Sequence, residues 1–226
     1  MNQSTLLQDA RSSNHLSALI RKSFQILFLL VSTWVIAPQA FAQGYEPINP
    51  PQNTSTTEKV EVLEFFWFGC PHCFAFEPSI EEWAANKPEN TVFVREAPPL
   101  NQAWESHSRA FYAAEILGIS EKFVPAMFKA IHEERKRMRK PGDIAELAET
   151  FGVAKKDFEA TMKSFGVQTR MSRAMQLARG AGINAVPTVI VNGKYRIGSR
   201  SAGSHQGMIA AINQTVEVEK KAMGLE

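Results

Sequence analysis

The sequence has almost no cysteine. Its 226 residues contain two, Cys70 and Cys73, separated by two residues. In an oxidising compartment, surplus cysteines are usually recruited into stabilising disulfides, and a bond across so small a loop would restrict the unfolded chain little. A structural disulfide framework is therefore excluded, and the pair is predicted to be a redox-active dithiol.

The sequence also has little excess charge of either sign. Its formal net charge is +2, and three bases against one acid in residues 1–42 account for that excess. The rest of the chain is balanced, so nucleic acid is not expected as a partner. The most basic stretch, residues 132–140, is predicted to be a solvated face at the end of a helix. The alternative is that it holds the protein near an anionic membrane surface.

No hydrophobic run near the N-terminus is long enough for a membrane-spanning helix. Residues 26–37 are mainly apolar but fall short of the ~18 residues such a helix needs. Bases at 21–22 precede this run, and an A-x-A pattern at 40–42 follows it, which is typical of a secretory signal cleaved before Gln43. We therefore expect residues 1–42 to be a signal peptide, with an uncleaved anchor as the alternative.

Histidines are too few and too scattered for a metal centre. Beyond the cysteine pair, His107, His132 and His205 are isolated in the sequence, whereas a structural zinc site needs four ligands. No metal is expected. No bound cofactor is expected either, because the two sulfurs can carry the electrons themselves.

Hydrophobic patterning predicts both strands and helices. An almost continuous apolar run at residues 60–67 is typical of a buried central strand. Further strands are predicted at 91–95, 188–191 and 194–197, the last two joined by a hairpin turn at Asn192-Gly193. Between the second and third strands, glycine and proline separate five predicted helices, at 102–117, 121–134, 143–151, 155–165 and 167–179. A final helix is predicted at 204–221.

This order predicts an α/β protein with a thioredoxin fold and an inserted helical subdomain. Residues 43–58 are rich in proline and polar residues, without periodicity, and are expected to form an N-terminal tether. The predicted thioredoxin-like core comprises residues 59–100 and 181–226. The helical subdomain is predicted at 101–180.

The chemistry is expected at Cys70-Pro71-His72-Cys73, which opens the first predicted helix. Pro71 suits the first turn of a helix. The helix N-terminus favours an anion, so Cys70 is predicted to have a lowered pKa and to be the attacking sulfur, and a protonated His72 would add to the effect. Cys73 is predicted to be the resolving sulfur. Because a stabilised thiolate stabilises the reduced form, such a pair favours donating disulfides over reducing them.

Val186-Pro187, just before the strand at 188–191, is the second predicted element of the site. Proline is tolerated at the start of a strand. If its peptide bond were cis, the backbone of Val186 would be exposed beside the dithiol, where it could pair with an extended peptide. Most X–Pro bonds are trans, so it is the combination with the cysteine pair that favours this interpretation.

Together, these motifs resemble the DsbA family of disulfide oxidoreductases. The resemblance rests on residues 62–66, on Cys70-Pro71-His72-Cys73 and on Val186-Pro187 with residues 191–195. It implies a thioredoxin fold with a helical insert, a cis bond before Pro187, and oxidation of newly exported proteins in the periplasm. It also implies re-oxidation by a quinone-linked membrane partner of the DsbB type. Gly69 departs from the family, which often has a bulky residue there.

Glu64 is a lone acid within the apolar strand, where burial would raise its pKa. The resemblance implies that it relays a proton to or from Cys73. The alternative is that it reaches solvent or forms an ion pair.

Other functions remain open at this point. A disulfide reductase or isomerase would keep the fold and change the direction of the reaction. Isomerases of this type are usually dimers with a separate dimerisation domain, and the tether is too short to be one, so a monomer is expected. A chaperone-like binding protein without redox turnover is a further alternative.

Overall fold

The structure is a computed structural model that describes residues 44–225. The predicted signal peptide at 1–42 lies outside these residues. The strands are β1 (Glu46–Pro47), β2 (Val60–Phe65), β3 (Thr91–Glu96), β4 (Thr188–Val191) and β5 (Tyr195–Gly198). The helices are α1 (Pro71–Ala85), α2 (Glu105–Ile116), α3 (Ser120–His132), α4 (Pro141–Glu149), α5 (Lys155–Met162), α6 (Phe165–Gly180), α7 (Ser199–Ala202) and α8 (His205–Met223).

The five strands form one mixed sheet in the order β1-β5-β4-β2-β3. β2 is parallel to β3 and antiparallel to β4, and β4 is antiparallel to β5. Every residue of β2 is buried, which explains why the sequence there is almost continuously apolar. The mixed α/β class with helices inserted between β3 and β4 is confirmed, whereas the predicted domain boundaries stay a prediction.

The inserted helices α2 to α6 pack around an aromatic core. Its fully buried rings include Phe66, Phe111, Phe123, Phe128 and Phe158. The same cluster contains Cys70 and Cys73. The dithiol is therefore continuous with the core of the helical block.

The hairpin turn between β4 and β5 forms as predicted. Asn192 and Gly193 both have positive φ, 48° and 68°, which is the backbone of a type I′ turn. Between β5 and the last helix the structure contains α7, a single helical turn that the sequence analysis missed.

The segment predicted as a tether differs from expectation. Glu46 and Pro47 pair with β5 as an edge strand, and the N–H of Gln52 donates to the carbonyl of Gly193 at 2.8 Å. Glu46 also forms an ion pair with Arg196 at 2.5 Å. The arm therefore lies against the sheet through backbone bonds, which a search for hydrophobic periodicity does not detect. Within residues 44–225, no helix combines the length and the apolar character needed to cross a membrane.

Candidate active site

Cys70 and Cys73 lie at the first turn of α1. Cys70 is the N-cap residue, and its Sγ accepts a hydrogen bond from the backbone N–H of Cys73 at 3.3 Å. Pro71 occupies the first helical position, where no N–H is needed. Both cysteines are free thiols. Cys70 is 8% exposed and Cys73 1%, so only the first sulfur faces the surface.

The two thiols have very different acidities. The pKa of Cys70 is lowered to about 6, chiefly by the hydrogen bond from the Cys73 thiol; burial opposes this shift, and the N–H groups of Cys73 and His72 and the charge of His72 add to it. Burial raises the pKa of Cys73 well above its usual range. At neutral pH, Cys70 is therefore a thiolate and Cys73 a thiol. A lowered pKa of the first cysteine is a known property of the family that the sequence resembles, so the lowered pKa of Cys70 is expected.

The segment before β4 lies against the dithiol. The Val186–Pro187 peptide bond is cis. Cys70 Sγ lies 3.4 Å from the carbonyl oxygen of Val186, to which it donates when it is protonated, and no acceptor for the Val186 N–H occurs among the described residues. A cavity of about 340 Å³ opens here, lined by Val186, Pro187, His72 and the polar start of α7. The structure thus brings together His72, Val186, Pro187 and Cys70 at one surface.

Glu64 lies inside the protein with a charged partner. It is 1% exposed, and Arg95 Nε donates to its Oε2 at 2.8 Å. Burial raises the pKa of Glu64, while Arg95 opposes the shift. The negative charge of Glu64 is in turn one of the causes of the raised Cys73 pKa. Burial and an ion pair therefore occur together here, where the sequence analysis treated them as alternatives.

Arg95 holds two further carboxylates that the sequence analysis missed. Its guanidinium donates to both oxygens of Glu77 at 2.8 and 3.1 Å and pairs with Glu81 at 2.7 Å. Burial raises the pKa of Glu77 to about 7. The available signal was register, because parallel pairing places Glu64 beside Arg95, and an arginine in an apolar strand indicates a buried acid nearby.

Gly69 is explained by its neighbour. A Cβ at this position would clash with the indole ring of Trp67, which stacks on Trp104 with ring centroids 4.6 Å apart. The residue that departs from the family pattern is therefore the one that lets Trp67 fold over the chain before the dithiol.

No group of three or more metal-ligating side chains occurs within residues 44–225. In the described part of the chain, the chemistry available at this site is that of the two sulfurs, Glu64 and the histidine between the cysteines.

Comparisons with known proteins agree with this geometry. The family described as DSBA-like thioredoxin domain matches residues 97–209. The thiol:disulfide interchange protein DsbA of Burkholderia cepacia is 40% identical over 184 residues, covering 80% of this chain and 87% of that protein. DsbA of Pseudomonas syringae pv. tomato is 34% identical over 206 residues, covering 86% and 96%. The crystal structure of Pseudomonas aeruginosa DsbA is similar with a TM-score of 0.75 and 36% identity, covering 79% of this chain and 93% of that one.

The chain belongs to the DsbA family. It is a thiol:disulfide oxidoreductase that acts through Cys70 and Cys73, and its sheet with inserted helices is the thioredoxin-type fold of that family. The family match begins at residue 97, after the cysteine pair, so the helical block and the Val186-Pro187 segment carry that match independently of the dithiol.

Proposed function

We propose that this DsbA-family protein oxidises newly exported polypeptides, with Cys70 as the sulfur that exchanges with substrate. The observation that carries the proposal is the asymmetry of the pair. Cys70 has the lowered pKa and the greater exposure, and it contacts the Val186 carbonyl. A stable Cys70 thiolate is a good leaving group and stabilises the reduced enzyme, which makes the oxidised enzyme a strong disulfide donor.

The reaction balances in two exchange steps. A substrate thiolate attacks Cys70 Sγ of the enzyme disulfide, an S–S bond to the substrate forms, and the Cys70–Cys73 bond breaks, leaving electrons on Cys73. A second substrate thiolate then attacks the substrate sulfur of the mixed disulfide and releases Cys70 as a thiolate. The substrate loses two electrons and gains a disulfide, and the enzyme gains two electrons.

Glu64 supplies a proton in the first step. Cys73 leaves as a thiolate, but its raised pKa means that it must be protonated. Burial raises the pKa of Glu64 while Arg95 opposes the shift, and the charge of Glu64 raises the pKa of Cys73; these two observations support the assignment of Glu64 as the group that carries the proton to Cys73. His72 and Pro71 act on Cys70, His72 by its charge and Pro71 by fixing the first helical turn that presents the N–H groups.

Val186 and Pro187 form the substrate platform. The Val186 N–H has no acceptor among the described residues, and an extended peptide bound to Cys70 can accept from it, as an added strand does at a sheet edge. The cavity lined by His72, Val186 and Pro187 accommodates the substrate residues next to the reacting cysteine.

The surroundings of the reaction are also part of this proposal. Residues 1–42 direct export to the periplasm and are removed before Gln43. The mature enzyme is a monomer. A quinone-linked membrane oxidase of the DsbB type regenerates its disulfide. No bound cofactor takes part. Intact mass of the secreted protein tests the cleavage site, and quinone reduction by membranes with added reduced enzyme tests the partner.

The deciding experiment is the reduction potential of Cys70–Cys73 in glutathione buffers, combined with oxidation of a reduced two-cysteine peptide. We expect a potential well above that of thioredoxin, and no peptide oxidation by Cys70→Ser. A potential at or below that of thioredoxin would instead favour the second candidate, a reductase or isomerase of the same fold. Retained oxidation in Cys70→Ser would contradict the mechanism.

A further inference from the structure

Beside the dithiol, on the side of the helical block, lies a cavity of about 430 Å³ with a basic wall. Trp67, Gly69, His107 and Ile131 line one side. The other side comes from residues 133–140, the loop between α3 and α4, here called the basic loop. It contributes Arg135, Lys136, Arg137 and Arg139. Gly69 directly precedes Cys70 in the sequence, so this cavity, here called the basic pocket, includes the residue next to the reacting cysteine.

The basic loop is not the helix end that the sequence analysis expected. α3 ends at His132, and the cations follow it in irregular backbone, so the helix dipole does not explain their clustering. Arg135 and Met138 have positive φ, 59° and 43°, which side-chain-bearing residues rarely adopt. Such backbone persists only when the surroundings hold it.

The surroundings do hold the basic loop. Met138 is 4% exposed and anchors the loop in the aromatic core. His107 Nε2 and the Met138 carbonyl lie 2.8 Å apart, and Ser106 Oγ donates to the Arg139 carbonyl at 3.0 Å. Burial lowers the pKa of His107, so its ring is neutral and Nε2 is the donor to Met138. The cations are therefore displayed on a fixed backbone.

Most of this positive charge has no ion-pair partner in the part of the chain that the structure describes. Lys136 pairs with Glu134 at 2.8 Å, and both Lys136 and Arg137 also line a neighbouring cavity that contains Asp143 and Glu146. Arg135 and Arg139 line the basic pocket alone. Neither forms an ion pair within residues 44–225.

The charge of the basic pocket determines which ligand it can hold. Arg135 and Arg139 line it and form no ion pair within residues 44–225, so they select an acceptor with negative charge.

We propose that the basic pocket binds acidic side chains of the polypeptide substrate, close to the cysteine that reacts with Cys70. The inference rests on the proposed function and adds a substrate class to it: reduced polypeptides with Asp or Glu near the reacting cysteine are oxidised faster than neutral ones. The position of the pocket favours a polypeptide over a lipid headgroup, because a chain joined to Cys70 extends in two directions from the reacting cysteine and Gly69 of the pocket is the neighbour of Cys70 in the sequence.

The test compares peptides that differ only in charge. Every peptide carries two cysteines. In the first pair, one peptide has two acids (Asp, Glu) on the N-terminal side of the reacting cysteine and the other has the corresponding amides (Asn, Gln) there. In the second pair, the acids or amides lie on the C-terminal side. The variant is Arg135→Gln with Arg139→Gln, because glutamine removes the positive charge and keeps an unbranched, polar side chain. The control is Arg173→Gln with Arg179→Gln, which removes the same charge from exposed positions of α6 that do not line the basic pocket.

We expect the wild-type protein to oxidise one acidic peptide with a kcat/KM about fivefold above its amide counterpart, since two exposed ion pairs contribute about 1 kcal/mol together. This preference should shrink with added salt. The preference should vanish in the Arg135/Arg139 variant and persist in the control.

Several outcomes would overturn the inference while leaving the proposed function intact. One is equal rates of the wild-type protein on acidic and amide peptides; another is a preference that survives in the Arg135/Arg139 variant or is lost equally in the control. A third is that the Arg135/Arg139 variant, unlike the wild-type protein, does not bind vesicles of phosphatidylglycerol better than vesicles of phosphatidylcholine, while peptide charge has no effect on the rate of oxidation. That result would assign the pocket to lipid. Failure to oxidise any peptide would instead overturn the proposed function, and this inference with it.

Discussion

At the scale of single residues, the site depends on two identical side chains with opposite acidities. Cys70 caps α1 and accepts the Cys73 N–H, whereas Cys73 lies one turn further in and is almost fully buried. The helix N-terminus supplies N–H donors that stabilise the Cys70 thiolate, whereas burial in the protein interior disfavours the Cys73 thiolate. Directional exchange follows from this difference, because the buried sulfur can be reached only after the exposed one has reacted.

His72 is expected to tune this asymmetry. Its charge is one of the causes that lower the pKa of Cys70, and His72→Ala removes this charge while keeping the backbone N–H, so the substitution should raise that pKa above about 6 and make the disulfide less oxidising. An exposed charge contributes about 1 kcal/mol, equivalent to about 20 mV for this couple. Absorbance of the thiolate against pH in a Cys73→Ser background measures the first effect, and glutathione equilibration of the protein with both cysteines measures the second. His205→Ala, which removes a histidine that packs on Phe76, should change neither value.

Glu64 is expected to act on the step in which Cys73 leaves. Glu64→Gln removes the carboxyl that protonates Cys73, so reduction of the enzyme by a dithiol peptide should slow by about a hundredfold. In the wild-type protein this rate should fall as the pH rises and Glu64 loses its proton, and the dependence should be absent in Glu64→Gln. Stopped-flow fluorescence measures both effects.

The matched control for this prediction is Glu81→Gln. Glu81 contacts the same Arg95, but its side chain is 51% exposed and it is not among the main groups that shift the Cys73 pKa. Equal slowing in both variants would indicate that the effect acts through Arg95 and the stability of the fold, and would contradict the proton relay.

At the scale of elements, the sequence correctly predicted the strands, helices and turns that depend on local sequence patterns. The buried strand β2 and the helices of the insert appear close to their expected positions, and Asn192-Gly193 forms the expected hairpin turn. The other partners of Arg95 were missed because Glu77 and Glu81 meet Arg95 only when α1 packs on the sheet, a contact between residues distant in sequence. The arm at Glu46–Pro47 was missed because its pairing uses backbone groups of two residues, too few for a periodic pattern.

The hairpin turn and the N-terminal arm are expected to depend on Gly193. It has φ 68°, and a Cβ there would clash with the carbonyl of Gln52. Gly193→Ala should therefore destabilise the fold by roughly 3 kcal/mol, from a left-handed backbone and a displaced arm. Urea denaturation gives the free energy of unfolding.

The control for this prediction is Gly152→Ala. Gly152 has φ 86°, but a Cβ there meets no atom within 4 Å, so only the backbone term of about 1 kcal/mol applies. Equal losses in the two variants would show that the arm contributes nothing to stability.

At the scale of the whole molecule, the redox state of two atoms is coupled to the stability of the fold. The dithiol belongs to the same apolar cluster as the helical block, and its reduced form contains a thiolate that the folded protein stabilises. The oxidised form has no such thiolate. Oxidising power and the extra stability of the reduced fold are therefore two measures of one free energy.

This coupling predicts that the reduced protein unfolds less readily than the oxidised one, by a margin that depends on pH. The folded pKa of Cys70, about 6, is below the unfolded value of about 8.5. An acid with a depressed pKa stabilises the fold above its unfolded pKa, and the contribution is lost as the pH falls through the folded pKa. The margin should therefore be small at pH 5 and rise towards about 3 kcal/mol near pH 8.5.

Cys73 sets the upper limit of this window. Its folded pKa is raised, so above about pH 8.5 the unfolded chain loses a proton that the folded chain keeps, and the margin should fall again. Glu64 and Glu77 also titrate, but they are present in both redox forms and their contributions largely cancel in the difference. Urea denaturation of both forms at pH 5, 7 and 8.5 measures the margin, and His72→Ala should reduce it at pH 7. A margin that is independent of pH would mean that the Cys70 thiolate does not stabilise the reduced fold, and the oxidising direction would then need another physical cause.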